Sequence, residues 1–562
     1  MPVHMPHVPS RRRALRVRTS ARLARGLLAG SLLASAPLGA ALAAEPQPAA
    51  AQPNAGGTIR YGHFQEPPCL YGGWIQQWYL QRQYGDNLVA RGADGAIHPW
   101  LASSWSLSDD RTTYTFELRP GVKFHDGTPL DAAAVATNFN TWLSKDPLTR
   151  NNASVVYFGE QFKSATATGP LTVRVELKEP YQPFLDVLTH ATHIILSPTA
   201  QARGQQANCE QPVGSGPFIV DTWNHGQDVV FRRNPDYAWA PATARHQGPA
   251  HAERLVWKFL KDPTLRYGSL KAGESDVIYD VPAVNWADAQ KNFQIVSHIT
   301  GGSPLRFQLN TARPPFDDPR VRRAFAHAAD RRAAVEAAFQ GQTPFEGNGA
   351  LSQSAPEYVQ ALADSYPYDP KKAAELLDAA GWTARDAKGI RQKDGKPLLV
   401  RVVYSQSHVT LDAAQALQII QEQAREAGFQ VELKPVTQAD WYAGKNRGPA
   451  DYEIQPAYWT AATAQIFRVS WRPDAGEWKN ANNVSRYQDA DLWRVIQEAD
   501  GAFDDARRTA LYGEVQKRLV EEAPVIGFTV LPVVLASQPR LHDVWLSPAV
   551  GEPVFHDAWL EK

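Results

Sequence analysis

Apolar and polar residues follow two different spacings along the chain. Residues 113–118 (TYTFEL) and 171–177 (LTVRVEL) alternate at every position, which predicts half-buried strands. After Asp131, apolar side chains such as Val135 and Phe139 recur three or four positions apart, which predicts a helix with Asp131 as its N-cap. Strands and helices therefore follow one another in the first half of the chain.

The second half contains a strand–helix–strand unit. The pattern predicts a strand at 398–404, a helix at 412–427 that ends at Gly428, and a second strand at 429–433. Two strands that flank one helix favour parallel pairing, so we expect a mainly parallel sheet in this half. The predicted fold class is α/β.

The N-terminus has the pattern of an export signal. Seven arginines between positions 11 and 25 precede an apolar run at about 27–33 and small residues that end at 41–43. The run is shorter than the roughly 20 residues that span a bilayer, so a cleaved signal peptide at 1–43 is favoured over a retained anchor. Residues 10–15 also resemble a twin-arginine signal, which leaves the Sec and twin-arginine routes open. We expect a periplasmic mature protein.

The residues after the signal predict a linker and then more than one lobe. Residues 44–57 are rich in Ala, Pro and Gln and are expected to be disordered. The roughly 500 residues that remain exceed the size of one hydrophobic core, so at least two lobes are expected. The 58 basic and 58 acidic residues balance, which argues against nucleic acid as a partner.

Cys69 and Cys209 are the whole cysteine complement. In an oxidising compartment an even count favours a disulfide, and two separate buried thiols are the alternative. The 15 histidines are scattered rather than spaced as ligands, so neither a metal site nor a cofactor is predicted.

Seven segments stand in an order that resembles one protein family. The most specific is 101–130 (LASSWSLSDDRTTYTFELRPGVKFHDGTPL). The others are 212–217 (PVGSGP), 233–237 (RNPDY), 270–276 (LKAGESD), 317–330 (DDPRVRRAFAHAAD), 368–382 (YDPKKAAELLDAAGW) and 507–524. In this order they resemble the periplasmic solute-binding proteins of ABC importers, in the family that takes oligopeptides, dipeptides, nickel complexes and opines.

The resemblance implies a two-lobe periplasmic-binding-protein fold whose cleft closes about a hinge. The expected division is 58–302 for lobe I with an extra subdomain, 303–524 for lobe II, and 525–562 for a return to lobe I. The resemblance also implies a monomer that captures a peptide-like or other small organic ligand by lobe closure. The closed form would deliver this ligand to a membrane permease powered by a separate ATPase, and no catalytic residue is expected.

The first departure from the family pattern is 67–84 (PPCLYGGWIQQWYLQRQY). Tyr71 and Trp74 would pack on an organic ligand while offering polar edges, although Trp74 and Trp78, one helical turn apart, suit a core equally well. Arg82 would receive a ligand carboxylate, with a salt bridge as its alternative role.

The second departure is 458–468 (YWTAATAQIFR). Dipeptide binders of the family have an acidic residue shortly after a tryptophan, where it holds the ligand amino group. Here Trp459 is followed by Thr and two Ala, which weakens the case for free dipeptides. We predict ligand contacts from Tyr458, Trp459 and Arg468, and from Tyr404 at the end of a lobe II strand.

Two other functions are weighed against solute binding. A carrier of nickel complexes or haem would use the same scaffold. A secreted hydrolase is less favoured, because the chain has no Gly-x-Ser-x-Gly elbow, no His-Glu-x-x-His and no recognised catalytic cysteine signature. The identity of the ligand stays open.

Overall fold

The computed structural model describes residues 53–71, 78–145, 151–405, 408–446, 448–475 and 480–562. The predicted signal peptide, most of the predicted linker and Trp74 lie outside the described residues. Within the linker range, the Gly56 N–H donates to the carbonyl oxygen of His251 (2.8 Å), and the carbonyl of Gly57 accepts from Glu253 (3.0 Å). Ordered chain therefore begins before the first strand.

Twenty-five strands are present in the described residues. They are β1 (Thr58–His63), β2 (Val89–Arg91), β3 (Ile97–Pro99), β4 (Ala102–Leu107), β5 (Thr113–Leu118), β6 (Phe162–Ala167), β7 (Thr172–Leu177), β8 (Phe218–Asn224), β9 (Asp228–Arg233), β10 (Arg254–Phe259), β11 (Val277–Tyr279), β12 (Gln294–His298), β13 (Gly302–Leu309), β14 (Ala384–Arg385), β15 (Arg391–Lys393), β16 (Lys396–Pro397), β17 (Leu399–Ser405), β18 (Gln430–Val436), β19 (Ile454–Thr460), β20 (Val525–Thr529), β21 (Val533–Ser537), β22 (Leu541–His542), β23 (Trp545–Leu546), β24 (Pro553–Val554) and β25 (Trp559–Leu560).

The described α-helices number sixteen. They are α1 (Trp78–Tyr84), α2 (Ala132–Trp142), α3 (Asn152–Tyr157), α4 (Phe184–Leu188), α5 (Pro198–Gln201), α6 (Gln205–Glu210), α7 (Pro263–Lys271), α8 (Trp286–Asn292), α9 (Pro319–His327), α10 (Arg331–Phe339), α11 (Pro370–Ala379), α12 (Leu411–Ala427), α13 (Gln438–Tyr442), α14 (Ile466–Trp471), α15 (Ala490–Asp500) and α16 (Asp505–Glu522). None of these helices combines the length and the apolar character needed to cross a membrane.

Local side-chain chemistry sets several helix ends. The carboxylate of Asp131 accepts from the Ala134 N–H and caps α2, and the Thr410 side chain caps α12 by accepting from Ala413. Helix α12 ends at Gly428, whose φ of 106° is the left-handed conformation that glycine adopts without steric cost. These ends confirm the helices predicted after Asp131 and at 412–427.

Three larger sheets organise the chain. A seven-stranded sheet has the order β12-β21-β11-β1-β10-β9-β8, and a four-stranded antiparallel sheet has the order β4-β5-β7-β6. The third is a five-stranded sheet with the order β18-β17-β19-β13-β20. The strands predicted at 113–118 and 171–177 are β5 and β7, which pair with each other.

The five-stranded sheet is mixed, so the expectation of a mainly parallel sheet is wrong. β17 pairs in parallel with β18 and β19, whereas β13 pairs antiparallel with β19 and β20. The expectation rested on one strand–helix–strand unit, which is indeed parallel. β13 and β20 come from distant parts of the chain, and no local crossover helix fixes their direction.

The chain crosses between the two largest sheets twice. It leaves the seven-stranded sheet after β12 and enters the five-stranded sheet at β13, and it returns between β20 and β21. The second crossing therefore follows Thr529 and lies beyond the expected boundary at 524. At the first crossing Gly302 has a φ of 86°, and a Cβ atom there would collide with the carbonyl oxygen of Trp459. The end of β19 is thus packed against the crossing.

A disulfide joins Cys69 to Cys209, which confirms the predicted pair. Their Cα atoms lie 4.5 Å apart although 140 positions separate them in the sequence. The Leu70 N–H also donates to the carbonyl oxygen of Cys209 (3.0 Å). The bond fastens the segment after β1 to helix α6.

We expect the double variant Cys69→Ser/Cys209→Ser to have a free energy of unfolding about 2–4 kcal/mol lower than the wild type. Opening so long a loop returns conformational entropy to the unfolded chain. Urea unfolding of both proteins without reductant measures the difference. Equal unfolding midpoints and slopes would show that the bond does not stabilise the fold.

Candidate functional site

Strand ends from both large sheets meet beside the crossings. β1 ends at His63 and β11 at Tyr279 in one sheet, while β19 ends at Thr460 in the other. β1 and β11 are parallel, and the carboxyl ends of parallel strands are where α/β proteins bind ligands. We call the region around these ends the interlobe site.

An aromatic wall lines the lobe I side of the interlobe site. The ring of Tyr279 lies 4.9 Å from His63, 5.3 Å from Phe64 and 5.8 Å from Tyr79. Burial lowers the pKa of His63 to about 3, so this imidazole is neutral at pH 7. Its Nε2 atom has no hydrogen-bond partner among the described residues. The wall offers flat apolar surface with few polar atoms.

Tyr458 faces this wall from lobe II. Burial, together with the nearby Tyr279 and Tyr458, raises the pKa of Tyr79 well above its ordinary value. The ring of His408 lies 6.0 Å from Tyr458 on the lobe II side. Aromatic groups from both lobes therefore lie close together here.

Trp459 faces the opposite side of β19, because side chains alternate along a strand. Its Nε1 atom donates to the hydroxyl of Tyr157 (2.7 Å), and that hydroxyl donates to the carbonyl oxygen of Thr460 (3.2 Å). Tyr157 ends α3, beside the four-stranded sheet. The two hydrogen bonds join segments about 300 positions apart and connect lobe I to lobe II.

A small cavity of about 10 Å³, with room for about one water molecule, adjoins this contact. Tyr157, His190, Ala462 and Gln465 are among its lining residues. Burial lowers the pKa of His190 to about 3, and the buried Oε1 atom of Gln465 has no hydrogen-bond partner among the described residues. Gln465 therefore offers the cavity an amide oxygen that can accept a hydrogen bond from a ligand N–H, and the Asp186 carboxylate, which pairs with Arg91, also lines it.

Two carboxylates from opposite lobes lie at the base of the site. Asp280 follows β11, and Asp412 lies in the first turn of α12 and accepts from the Ala283 N–H (3.4 Å). Burial raises the pKa of Asp280 to about 6, and the charge of Asp412 contributes to this rise. The Arg266 guanidinium lies 3.5 Å from the Asp280 carboxylate. The negative charge of the Asp280 and Asp412 carboxylates favours a positively charged ligand.

The family model described as bacterial extracellular solute-binding proteins, family 5 Middle, matches residues 96–484. The chain belongs to this family. It is a solute-binding protein of ABC importers with the two-lobe α/β fold, as the sequence motifs predict.

Relatives with named ligands cover most of this solute-binding protein. The glutathione-binding protein GsiB of Shigella flexneri serotype 5b (strain 8401) is 29% identical over 477 residues, which are 82% of this chain and 86% of the relative. The nickel-binding periplasmic protein of Escherichia coli (strain K12) is 28% identical over 489 residues, 85% of this chain and 90% of the relative. NikA from Brucella suis, solved in complex with Fe(III)-EDTA, is 26% identical with a TM-score of 0.76 and covers 90% of this chain and 100% of its own.

Both arginines predicted to receive a ligand carboxylate have buried protein partners in this solute-binding protein. Arg82 donates to Asn87 (2.7 Å), to the carbonyl of Thr189 (3.0 Å) and to Glu552 (3.2 Å). Arg468 pairs with Asp500 at 2.6 Å. These contacts support structural roles, and ligand binding by either residue stays a prediction.

Only some of the other residues predicted to contact the ligand lie in the interlobe site. Tyr458 and Trp459 lie in the interlobe site, and Trp74 lies outside the described residues. Tyr71 is buried and lines a cavity of only about 10 Å³, whereas Tyr404 is buried in the core of the five-stranded sheet.

Sequence reasoning missed several residues of the site. They are His63, Tyr157, Tyr279, Asp280, Asp412 and Gln465, whereas Tyr79 belongs to the aromatic segment 67–84 that the sequence singles out. His63 and Tyr279 end strands, and the position at a strand's carboxyl end is a signal that could have found them. Tyr157 and Gln465 carry no such signal.

Proposed function

We propose that the chain captures a peptide-like organic solute in the interlobe site, in the periplasm, and delivers it to an ABC permease after the lobes close. The observation that carries the proposal is the pair of hydrogen bonds of the Tyr157 hydroxyl, which accepts from Trp459 and donates to the Thr460 carbonyl oxygen and so joins the lobes beside a cavity. A solute bound to both walls would have a higher affinity for the closed arrangement than for an open one. This difference in affinity drives closure.

The chemistry of the site supports a solute with an apolar part and a protonated amine. The aromatic wall would pack on the apolar part. Asp412 and Asp280 would attract the amine, and the amide oxygen of Gln465 would accept from a peptide N–H. A ligand carboxylate would prefer a guanidinium group that has no acidic partner. Arg82 and Arg468 do not offer one, because each is already paired with an acidic residue of the protein.

Calorimetric titration of tag-free protein, stripped of ligand by unfolding and refolding, tests the proposal. The panel is glutathione, tripeptides and tetrapeptides with neutral or basic residues, and a nickel–histidine complex. We expect saturable binding of at least one peptide-like solute. Binding of the nickel complex alone would overturn the peptide-like assignment and favour a metal-chelate carrier.

We expect Asp412→Asn to weaken binding of an amine-bearing solute roughly tenfold, through loss of one opposing charge. The wild-type affinity is also expected to fall as pH falls from 7 to 5. The Asp280 carboxylate, whose pKa is about 6, becomes protonated in this window and loses its negative charge. Titrations at both pH values measure the effect.

The matched control is Asp491→Asn, which removes an exposed acid from the first turn of α15. Its solute affinity is expected to equal that of the wild type. An unchanged affinity in Asp412→Asn as well would show that the acidic pair does not contact the solute.

A further inference from the structure

We propose that His246, His556 and Asp557 form a binding site for a divalent transition metal of the zinc type, apart from the interlobe site. His246 lies in the loop between β9 and β10, and the other two residues lie between β24 and β25. The sequence predicts no metal site, because 311 positions separate His246 from Asp557. Folding places their ligand atoms within 4.8 Å of one another.

The distances suit a metal with nitrogen and oxygen ligands. The Oδ1 atom of Asp557 lies 2.8 Å from Nδ1 of His246 and 3.2 Å from Nδ1 of His556. Zinc–ligand bonds of about 2.0–2.1 Å at tetrahedral angles separate ligand atoms by roughly 3.3 Å. The two imidazole rings are nearly parallel, with centroids 4.1 Å apart, so one ring would have to turn for both Nδ1 lone pairs to point at the same ion.

The outer hydrogen bonds fix the protonation of both rings. Nε2 of His246 lies 3.0 Å from the carbonyl oxygen of Pro249, and Nε2 of His556 lies 2.8 Å from that of Gly248. Carbonyl oxygens only accept, so each Nε2 atom carries a proton and each Nδ1 atom is directed inward at the Asp557 carboxylate. Backbone carbonyls orient metal-binding histidines in this way.

One divalent cation between the three ligand atoms would replace the hydrogen bonds between the Nδ1 atoms and the carboxylate. Asp557 Oδ1 also accepts from the backbone N–H groups of Arg245 (3.2 Å) and His246 (3.3 Å), and its Oδ2 accepts from Trp545 Nε1 (2.8 Å). These bonds hold the carboxylate in place for either arrangement. Imidazole nitrogen paired with a carboxylate favours Zn²⁺ over Mg²⁺.

The surroundings provide a route for the ion. His556 and Trp545 line a cavity of about 40 Å³, from which water would complete the coordination. A bound ion would tie the loop before β10 to the C-terminal segment, and so would stabilise lobe I without contacting the solute. Metal binding here is therefore expected to be independent of solute binding.

Titration of the tag-free, EDTA-treated full chain with Zn²⁺ tests the site. We expect one Zn²⁺ per chain in the wild type and at least a 100-fold weaker affinity in His246→Asn. Affinity is expected to be unchanged in His542→Asn, which removes a histidine paired with Glu561 on the same C-terminal segment. In the same calorimetric titration, Mg²⁺ at the same concentrations is expected to give no heat of binding.

Two further measurements examine the folding of the variants and the coordination of the metal. Circular dichroism checks that His246→Asn is folded, and Asp557→Asn serves as a second variant if it is not. Loading with Co²⁺ is expected to give visible absorption in the wild type and none in the variants.

No Zn²⁺ binding by the wild type, or wild-type affinity in both variants, would overturn the proposal and leave a hydrogen-bonded histidine–aspartate cluster. Solute affinity unchanged in His246→Asn separates this site from the interlobe site.

Discussion

Replacing Arg468 with methionine is expected to lower the free energy of unfolding by about 3–5 kcal/mol. The Arg468 and Asp500 side chains are 5% and 1% exposed, and Asp500 also accepts from the Tyr512 hydroxyl (2.7 Å). The guanidinium lies over the rings of Tyr181 and Trp493. Its removal would leave the Asp500 charge buried without its cation. Urea unfolding of variant and wild type measures the loss.

The control for Arg468→Met is Arg494→Met on α15. Arg494 is well exposed and pairs with Asp491 and Glu498 on the same helix, so its loss is expected to cost less than about 1 kcal/mol. Solute titration separates a structural role for Arg468 from ligand binding. If Arg468→Lys retained stability and lost solute affinity, Arg468 would be a ligand contact, as the sequence predicts.

We expect Trp459→Ala to weaken solute binding about 100-fold, which corresponds to roughly 2.7 kcal/mol. The indole would lose both its contact with the solute and its hydrogen bond to Tyr157. Trp459→Phe keeps an aromatic ring and loses only the bond, so a loss of roughly tenfold is expected. Calorimetric titration with the solute found in the panel measures both changes.

A double-variant cycle assigns the Trp459 effect to lobe closure. Tyr157→Phe removes both hydrogen bonds between the lobes and is expected to weaken binding at least as much as Trp459→Phe, and the addition of Trp459→Phe to it is expected to change little. Trp105→Phe on the edge strand β4 is the control and is expected to bind as the wild type does. Full additivity of the two losses would show that the Trp459–Tyr157 bond does not act in closure.

Local patterns in the sequence predict local structure well in this chain. The structure confirms the strand at 113–118, the helix at 412–427, the Asp131 N-cap and the helix end at Gly428. Each of these features depends only on residues that are neighbours in the sequence. The motif order predicts the family, because the motifs build a shared scaffold.

Contacts between distant segments could not be predicted. The strands β13 and β20 join one sheet from opposite ends of the lobe II sequence, so their antiparallel pairing has no local signature. Trp459 stands out by composition, but its partner Tyr157 is about 300 positions away. The guanidinium groups of Arg82 and Arg468 suggest carboxylate binding from the sequence. In the structure each has an acidic protein partner, which is distant in the sequence and is brought near only by the fold.

Native mass spectrometry of the refolded protein, after exposure to a periplasmic small-molecule extract, tests solute capture in the interlobe site most directly. We predict one non-covalent organic adduct per chain that is lost on denaturation, is absent from Trp459→Ala and is retained by Trp105→Phe. An adduct at equal occupancy in Trp459→Ala, or no uptake by the wild type, would contradict the account.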